Sequence, residues 1–136
     1  MFVDASAIVA MLTREPGADR LADRLEAAVA PITSPIAVFE AALGICRKRQ
    51  ASVDQASRDV GQFIAIAGVA VVPVTDRETE TALDAFWRYG KGRGHPAQLN
   101  LGDCFAYAMA KNHRKRLLFT GDDFDRTDIE SAMDIE

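Results

Sequence analysis

The chain has 136 residues, 49% of them hydrophobic and 26% charged, and its 16 Lys and Arg against 20 Asp and Glu leave a net charge of −4. Length and composition predict one globular domain with a full hydrophobic core and exclude a disordered or fibrous chain. The acidic balance excludes nucleic-acid binding driven by overall charge, but leaves room for a local basic patch. No apolar run approaches the roughly 20 residues that a membrane span needs. Met1 enters a strand pattern without a basic leader segment. Cys46 and Cys104 sit in helical patterns among apolar neighbours. The expectation is a cytoplasmic protein with two reduced core thiols and no membrane contact.

The first predicted strand, Met1-Phe2-Val3, delivers Asp4 to its end, and Ser6 to Leu12 reads as a short apolar helix broken by Glu15-Pro16-Gly17. From Ala18 to Ala30, Leu21, Leu25 and Val29 recur at helical spacing, which predicts a surface helix with one buried stripe. Ile32-Thr33 is a short strand. Ser34-Pro35 then supplies a hydroxyl cap and a proline at the first helical position, starting a helix to about Arg49 that carries Glu40. Ser52-x-x-Gln55 reads as the capping box of the next helix, which passes Phe63 and Ile66 and stops at Gly68.

Val69 to Val74 is β-branched and apolar and predicts a buried strand. Thr75-x-x-Glu78 opens a helix that ends at Gly90, followed by the glycine-rich basic loop Lys91 to Pro96. Asn100 caps a helix from Leu101 to about Asn112 with Asp103 in its first turn. Arg116 to Thr120 is the last strand and runs into Gly121-Asp122-Asp123-Phe124. Strands alternating with helices predict an α/β fold with a central parallel sheet and helices on both faces.

Four acidic positions fall at matching places. Asp4 ends a strand, Glu40 lies in the second turn of one helix, Asp103 opens another, and Asp122 with Asp123 follows the last strand. Strand C-ends and the helix N-termini after them share one edge of such a sheet, where ligands collect. Singly, each acid reads equally well as a helix cap, a solvated side chain or a turn residue. Gathered together, carboxylates among apolar neighbours repel, and a hard divalent ion relieves that repulsion. Mg²⁺ favours such oxygen donors and Mn²⁺ is an acceptable substitute; no Cys/His spacing suggests zinc.

Val3-Asp4-Ala5-Ser6-Ala7, Ser34-Pro35 leading to Glu40, Leu99-Asn100-Leu101-Gly102-Asp103-Cys104-Phe105-Ala106-Tyr107-Ala108 and Leu117-Leu118-Phe119-Thr120-Gly121-Asp122-Asp123-Phe124 before Thr127-Asp128-Ile129 together resemble a PIN-domain ribonuclease. More narrowly they resemble the VapC toxins of bacterial VapBC toxin–antitoxin pairs. The resemblance implies a PIN-like fold over residues 1–136 and Mg²⁺-dependent hydrolysis of RNA phosphodiesters by activated water. It implies Asp4, Glu40, Asp103 and Asp122 as catalytic acids, with Asp4, Asp103 and Asp122 on the metal. Asp123, next to Asp122, is the alternative fourth acid, and Ser6 and Thr120 are supporting hydroxyls. It further implies a homodimer, and a hetero-oligomer in which a VapB-type antitoxin covers the acidic cleft.

Three basic groups stand out: Arg47-Lys48-Arg49, the loop with Lys91, Arg93 and His95, and Lys111 to Arg116. All three admit contact with the RNA backbone, since phosphate must be drawn past a carboxylate cluster, but the first and last read foremost as charge complementing helix C-termini. Lys91, Arg93 and His95 are candidates for RNA contact, because their glycines leave backbone free to approach a ligand. Phe86, Trp87 and Tyr89 read as core or oligomer surface before base-stacking groups. A catalytically silent PIN-like module that only binds a partner is the competing reading. A phospho-acceptor response regulator fails because Val74 is followed by Thr75 and no Lys follows the last strand.

Overall fold

The structure, a computed structural model, describes residues 1–134. Four short parallel strands, β1 (Phe2–Val3), β2 (Ile32–Thr33), β3 (Ala70–Val71) and β4 (Leu117–Leu118), form one sheet in the order β3-β2-β1-β4. Six α-helices connect them: α1 (Ala5–Leu12), α2 (Ala18–Ala27), α3 (Pro35–Arg49), α4 (Val53–Ala67), α5 (Asp76–Tyr89) and α6 (Leu101–Asn112). The chain winds outward from β1 through β2 to β3, then returns across the sheet to place β4 on the other side of β1. The winding direction therefore reverses beside β1, where an α/β sheet opens a crevice at its strand C-ends.

Successive strand residues point to opposite faces, and this builds two cores. Phe2 and Leu117 pack with α5 and α6 residues such as Ala85, Tyr107 and Met109. Val3 and Leu118 pack on the other face with Ile8 of α1, Leu21 and Leu25 of α2, Ile45 of α3 and Val60 of α4. Thr33 is fully buried, and its Oγ1 donates to the Val3 carbonyl at 2.8 Å, so a polar side chain adds to the β1–β2 pairing.

Helix starts follow their sequence signals. Ser34 Oγ accepts from Ala37 N at 3.1 Å with Pro35 at the first helical position. Ser52 Oγ accepts from Gln55 N, but the Gln55 amide donates to Asp59 instead of returning to residue 52. At α5, the Thr75 N–H and hydroxyl both donate to Glu78 Oε1. Asn112 at the far end of α6 donates to Glu78 Oε2 at 2.8 Å, tying the two helices together.

Two expectations are corrected. Residues 69 to 74 do not form a buried strand: only Ala70 and Val71 pair, both exposed, because β3 is the outer strand and lacks a neighbour on one side. Val29 does not join the buried stripe of α2. That helix ends at Ala27, so Val29 is 89% exposed while Leu21 and Leu25 are buried. No helix among the described residues is long and apolar enough to cross a membrane. Cys46 and Cys104 are free thiols.

The C-terminal segment is anchored by Asp128. Its Oδ1 accepts from Tyr107 at 2.6 Å and Tyr89 at 3.3 Å, and its Oδ2 accepts from Lys111 at 2.8 Å. Burial pushes this carboxyl up, but the Lys111 and Tyr107 hydrogen bonds outweigh it and hold the pKa down to about 2. Asp128→Ala is expected to destabilise the fold by about 1–2 kcal/mol, charge-assisted bonds being weakened here by solvent. An unchanged urea midpoint in that variant would count against the anchor.

Candidate functional site

Asp4 lies at the crevice because β1 ends there and Asp4 caps α1. Its Oδ2 accepts from Ser6 N at 3.0 Å and Ser6 Oγ at 2.6 Å. Ser6 Oγ in turn accepts from the backbone N–H of Thr120 at 3.1 Å, just beyond β4. Asp4 N donates to Leu118 O at 3.0 Å. The acid is thus fixed between the two strands that flank the crevice, and it is only 4% exposed.

Asp103 enters from the first turn of α6. Its N–H donates to Asn100 Oδ1 at 2.9 Å and its Oδ2 accepts from Asn100 N at 3.1 Å, a reciprocal cap. Both readings of Asp4 and Asp103 therefore hold at once: each caps a helix and each lines the same cavity.

Glu40 comes from the second turn of α3, and its carboxyl lies directly over Gly102 of α6. A Cβ at residue 102 would fall 1.9 Å from Glu40 Oε2 and 2.2 Å from its Cδ, so only glycine allows this approach. The resulting pocket, about 320 Å³, is lined by Asp4, Ser6, Glu40, Asp103 and Thr120 together with Glu15, Gly44, Arg47 and Lys48.

The electrostatics follow from this crowding. Burial raises the Asp4 pKa, against hydrogen bonds from Ser6 and Ala5 that lower it. Burial, then the charges of Asp4 and Asp103, push Glu40 up to about 7, with Arg47 opposing. Burial also raises Asp103 to about 6, against the Asn100 hydrogen bond, with Asp4 and Asp123 adding to the rise.

Asp122 and Asp123 are exposed on the turn after β4 and lie outside the pocket lining; of the two, Asp123 is the one whose charge acts on Asp103. Lys91, Arg93 and His95 do not line the pocket either. Arg93 stacks over Trp87 at 4.6 Å, and the His95 ring meets Tyr89 edge-on at 5.0 Å while its Nδ1 accepts from Ala97 N.

Sequence reasoning missed Gly102, Glu15 and the position of Arg47 and Lys48. The spacing of Arg47 seven residues after Glu40, two turns along one helix face, was the available signal.

Among the described residues, no three Asp, Glu, His or Cys side chains close around one point as a metal cage does. The donor set nonetheless suits Mg²⁺ or Mn²⁺. Asp4, Glu40 and Asp103 present hard oxygens to one cavity, and Mg²⁺ is commonly held by only one or two carboxylates while keeping waters and substrate phosphate.

A model of the PIN domain family matches residues 1–130. A VapC ribonuclease of Rhizobium meliloti (strain 1021) is 41% identical over 139 residues, covering 94% of this chain and 98% of that protein. Ribonuclease VapC28 of Mycobacterium tuberculosis is 38% identical over 134 residues, covering 98% of each. The crystal structure of Mycobacterium tuberculosis VapC20, described as a sarcin–ricin loop cleaving toxin, shares the fold with a TM-score of 0.72 at 18% identity, covering 94% of this chain and 95% of that one. The chain therefore belongs to the PIN-domain family and, within it, to the VapC group.

Two outcomes test the pocket. Glu40 rises from an ordinary 4.5 to about 7 and Asp103 from 3.8 to about 6. Raised folded-state values mean that their contribution to stability is complete below about pH 4 and is lost as pH climbs through the range 6 to 7. In metal-free buffer the thermal midpoint should fall between pH 5 and pH 8, and Glu40→Gln should flatten that slope; a parallel slope in the variant would contradict it. Gly102→Ala should push the Glu40 carboxyl out of the cluster, since the atoms its Cβ would meet all lie at the end of that side chain, and should flatten the same slope. A slope equal to wild type would mean that the carboxyl keeps its place.

Proposed function

We propose that this protein is a divalent-metal-dependent endoribonuclease, the toxin of a VapBC-type pair, in which the whole chain acts as one PIN unit. The observation that carries the reading is the convergence of Asp4, Glu40 and Asp103, from three separate elements, on one pocket at the crevice beside β1. Membership of the VapC group supports RNA as substrate and a VapB-type antitoxin as partner. The exposed apolar side chains Leu83, Phe86, Trp87 and Leu101 offer a surface for protein contact, consistent with a homodimer and an antitoxin-bound hetero-oligomer. The cytoplasm is its compartment on this reading.

Asp4 and Asp103 are the residues to hold Mg²⁺, or Mn²⁺ in its place, with Asp123, whose charge acts on Asp103, the candidate third ligand and Asp122 the alternative. When bound, the ion supplies positive charge to the phosphate and acidifies water. The chain's own groups do the remaining work. Ser6 fixes the orientation of Asp4 through Oδ2, and the Thr120 amide fixes the Ser6 hydroxyl. Glu40, beside Asp4 and Asp103 in the same pocket, accepts the proton of the water that attacks phosphorus, while the bond to the departing ribose oxygen breaks and that oxygen takes a proton from solvent. Asn100 keeps Asp103 turned into the first turn of α6. Lys91, Arg93 and His95 are candidate contacts to RNA outside the pocket.

Asp4→Asn and Asp103→Asn should each lower kcat/KM for RNA cleavage by roughly a hundred-fold or more, with circular dichroism unchanged, since asparagine also caps helices. Mg²⁺ or Mn²⁺ should raise the wild-type thermal midpoint at pH 8. Equal metal-dependent cleavage by either variant defeats the assignment. Metal binding without cleavage of any RNA favours the silent binding module.

A further inference from the structure

Cations line the pocket beside its acids: Arg47 and Lys48 come from the last turn of α3. These two cations are not equivalent. Lys48 forms an ion pair with Glu15, in the turn after α1, and Arg49 pairs with Asp59 at 3.7 Å and donates to Leu12 O. Among the described residues, Arg47 has no ion-pair partner within 4.0 Å.

Its placement follows from helix geometry. Glu40, Gly44 and Arg47 are spaced i, i+4, i+7 and share one face of α3, and all three line the pocket. Gly44 is required by the close crossing of α1, since a Cβ there would meet Val9 Cγ2 at 2.7 Å. It also leaves the stretch of helix between the acid and the guanidinium bare of side chain. Residues 40 and 47 are about 10 Å apart along the helix axis.

A phosphodiester entering this cavity meets carboxylates that repel it, so a nearby cation outside any ion pair has an evident use. We propose that Arg47 holds the RNA: its guanidinium donates to nonbridging oxygens of a backbone phosphate while the reacting phosphate lies at the acids. The fork of a guanidinium matches a phosphate in two-bond geometry. This assignment rests on the ribonuclease reading of the same pocket, and it makes Arg47 a substrate-binding residue that leaves the chemical step to the acids.

The test is steady-state cleavage of a labelled single-stranded RNA of mixed sequence over a range of salt, by wild type, Arg47→Ala, Arg47→Lys and Arg49→Ala. Arg47→Ala should raise KM roughly ten-fold, the loss of one charge-assisted contact, with kcat held within about two-fold. The slope of log KM against log salt should fall by about 0.7, the value of one phosphate contact on a single strand. Arg47→Lys should restore the salt slope and only part of the KM. Arg49→Ala, whose cation lies outside the pocket lining against Asp59 and Leu12 O, should stay near wild type. An Arg47→Ala enzyme with unchanged KM and salt slope, or one losing kcat alone, overturns the proposal, as does an Arg49→Ala enzyme that matches it.

Absence of cleavage by the wild-type chain would instead be a failure of the ribonuclease reading. Fluorescence anisotropy with the same RNA separates the two. In an Asp103→Asn background, Arg47→Ala should weaken binding roughly ten-fold with the same loss of salt slope; equal binding overturns the Arg47 assignment by itself.

Discussion

The Ser6 hydroxyl donates to the buried carboxylate of Asp4 and accepts from the Thr120 backbone, and so joins the ends of β1 and β4 where the sheet reverses its winding. A buried carboxylate without partners is costly. Here its hydrogen bonds come from Ser6, on its own helix, and that same hydroxyl is bound by the amide beyond the neighbouring strand. The pocket inherits its geometry from this link, because the acid can neither swing into solvent nor retreat into the core. Glu40 and Asp103 are brought beside it; burial is the main reason that both carboxyls are raised, and the charges of neighbouring acids add to it.

The second constraint is steric. The Glu40 carboxyl, from α3, fills the place that a Cβ at residue 102 of α6 would take. The glycine thereby gives the carboxyl its seat at the start of α6. Gly44 of α3 likewise leaves room for the Val9 side chain of α1.

Much of this was legible in the primary structure. Ser34-Pro35 and Asn100-x-x-Asp103 marked helix starts that the structure reproduces, because capping is decided by residues within one turn. The alternation of strands and helices gave the parallel sheet. Local pattern could not reveal that Ala70 and Val71 lie at the rim of the sheet, since β-branched runs look alike at centre and edge. The pairing of Gly102 with Glu40 depends on how two helices distant in sequence cross, and no spacing rule reports that. For Arg47 the sequence admits both RNA contact and a helix-dipole role, the second preferred because its position in the last turn suffices for it, while its pocket wall is built from α1, α3, α6 and the segment after β4. Asp128 appeared only as part of a motif, and its hold on Tyr89, Tyr107 and Lys111 becomes visible once α5 and α6 are packed side by side.

The outer strand has a consequence for how this chain behaves among copies of itself. β3 offers an unpaired backbone edge with Val71 48% exposed, the kind of rim onto which a foreign strand can zip. It is only two residues long, and Pro73, which has no amide hydrogen to give, follows almost at once. An incoming strand finds too few donors in register to grow a ladder. The open rim is thereby kept from seeding fibrils or runaway sheet extension, even when the chain accumulates.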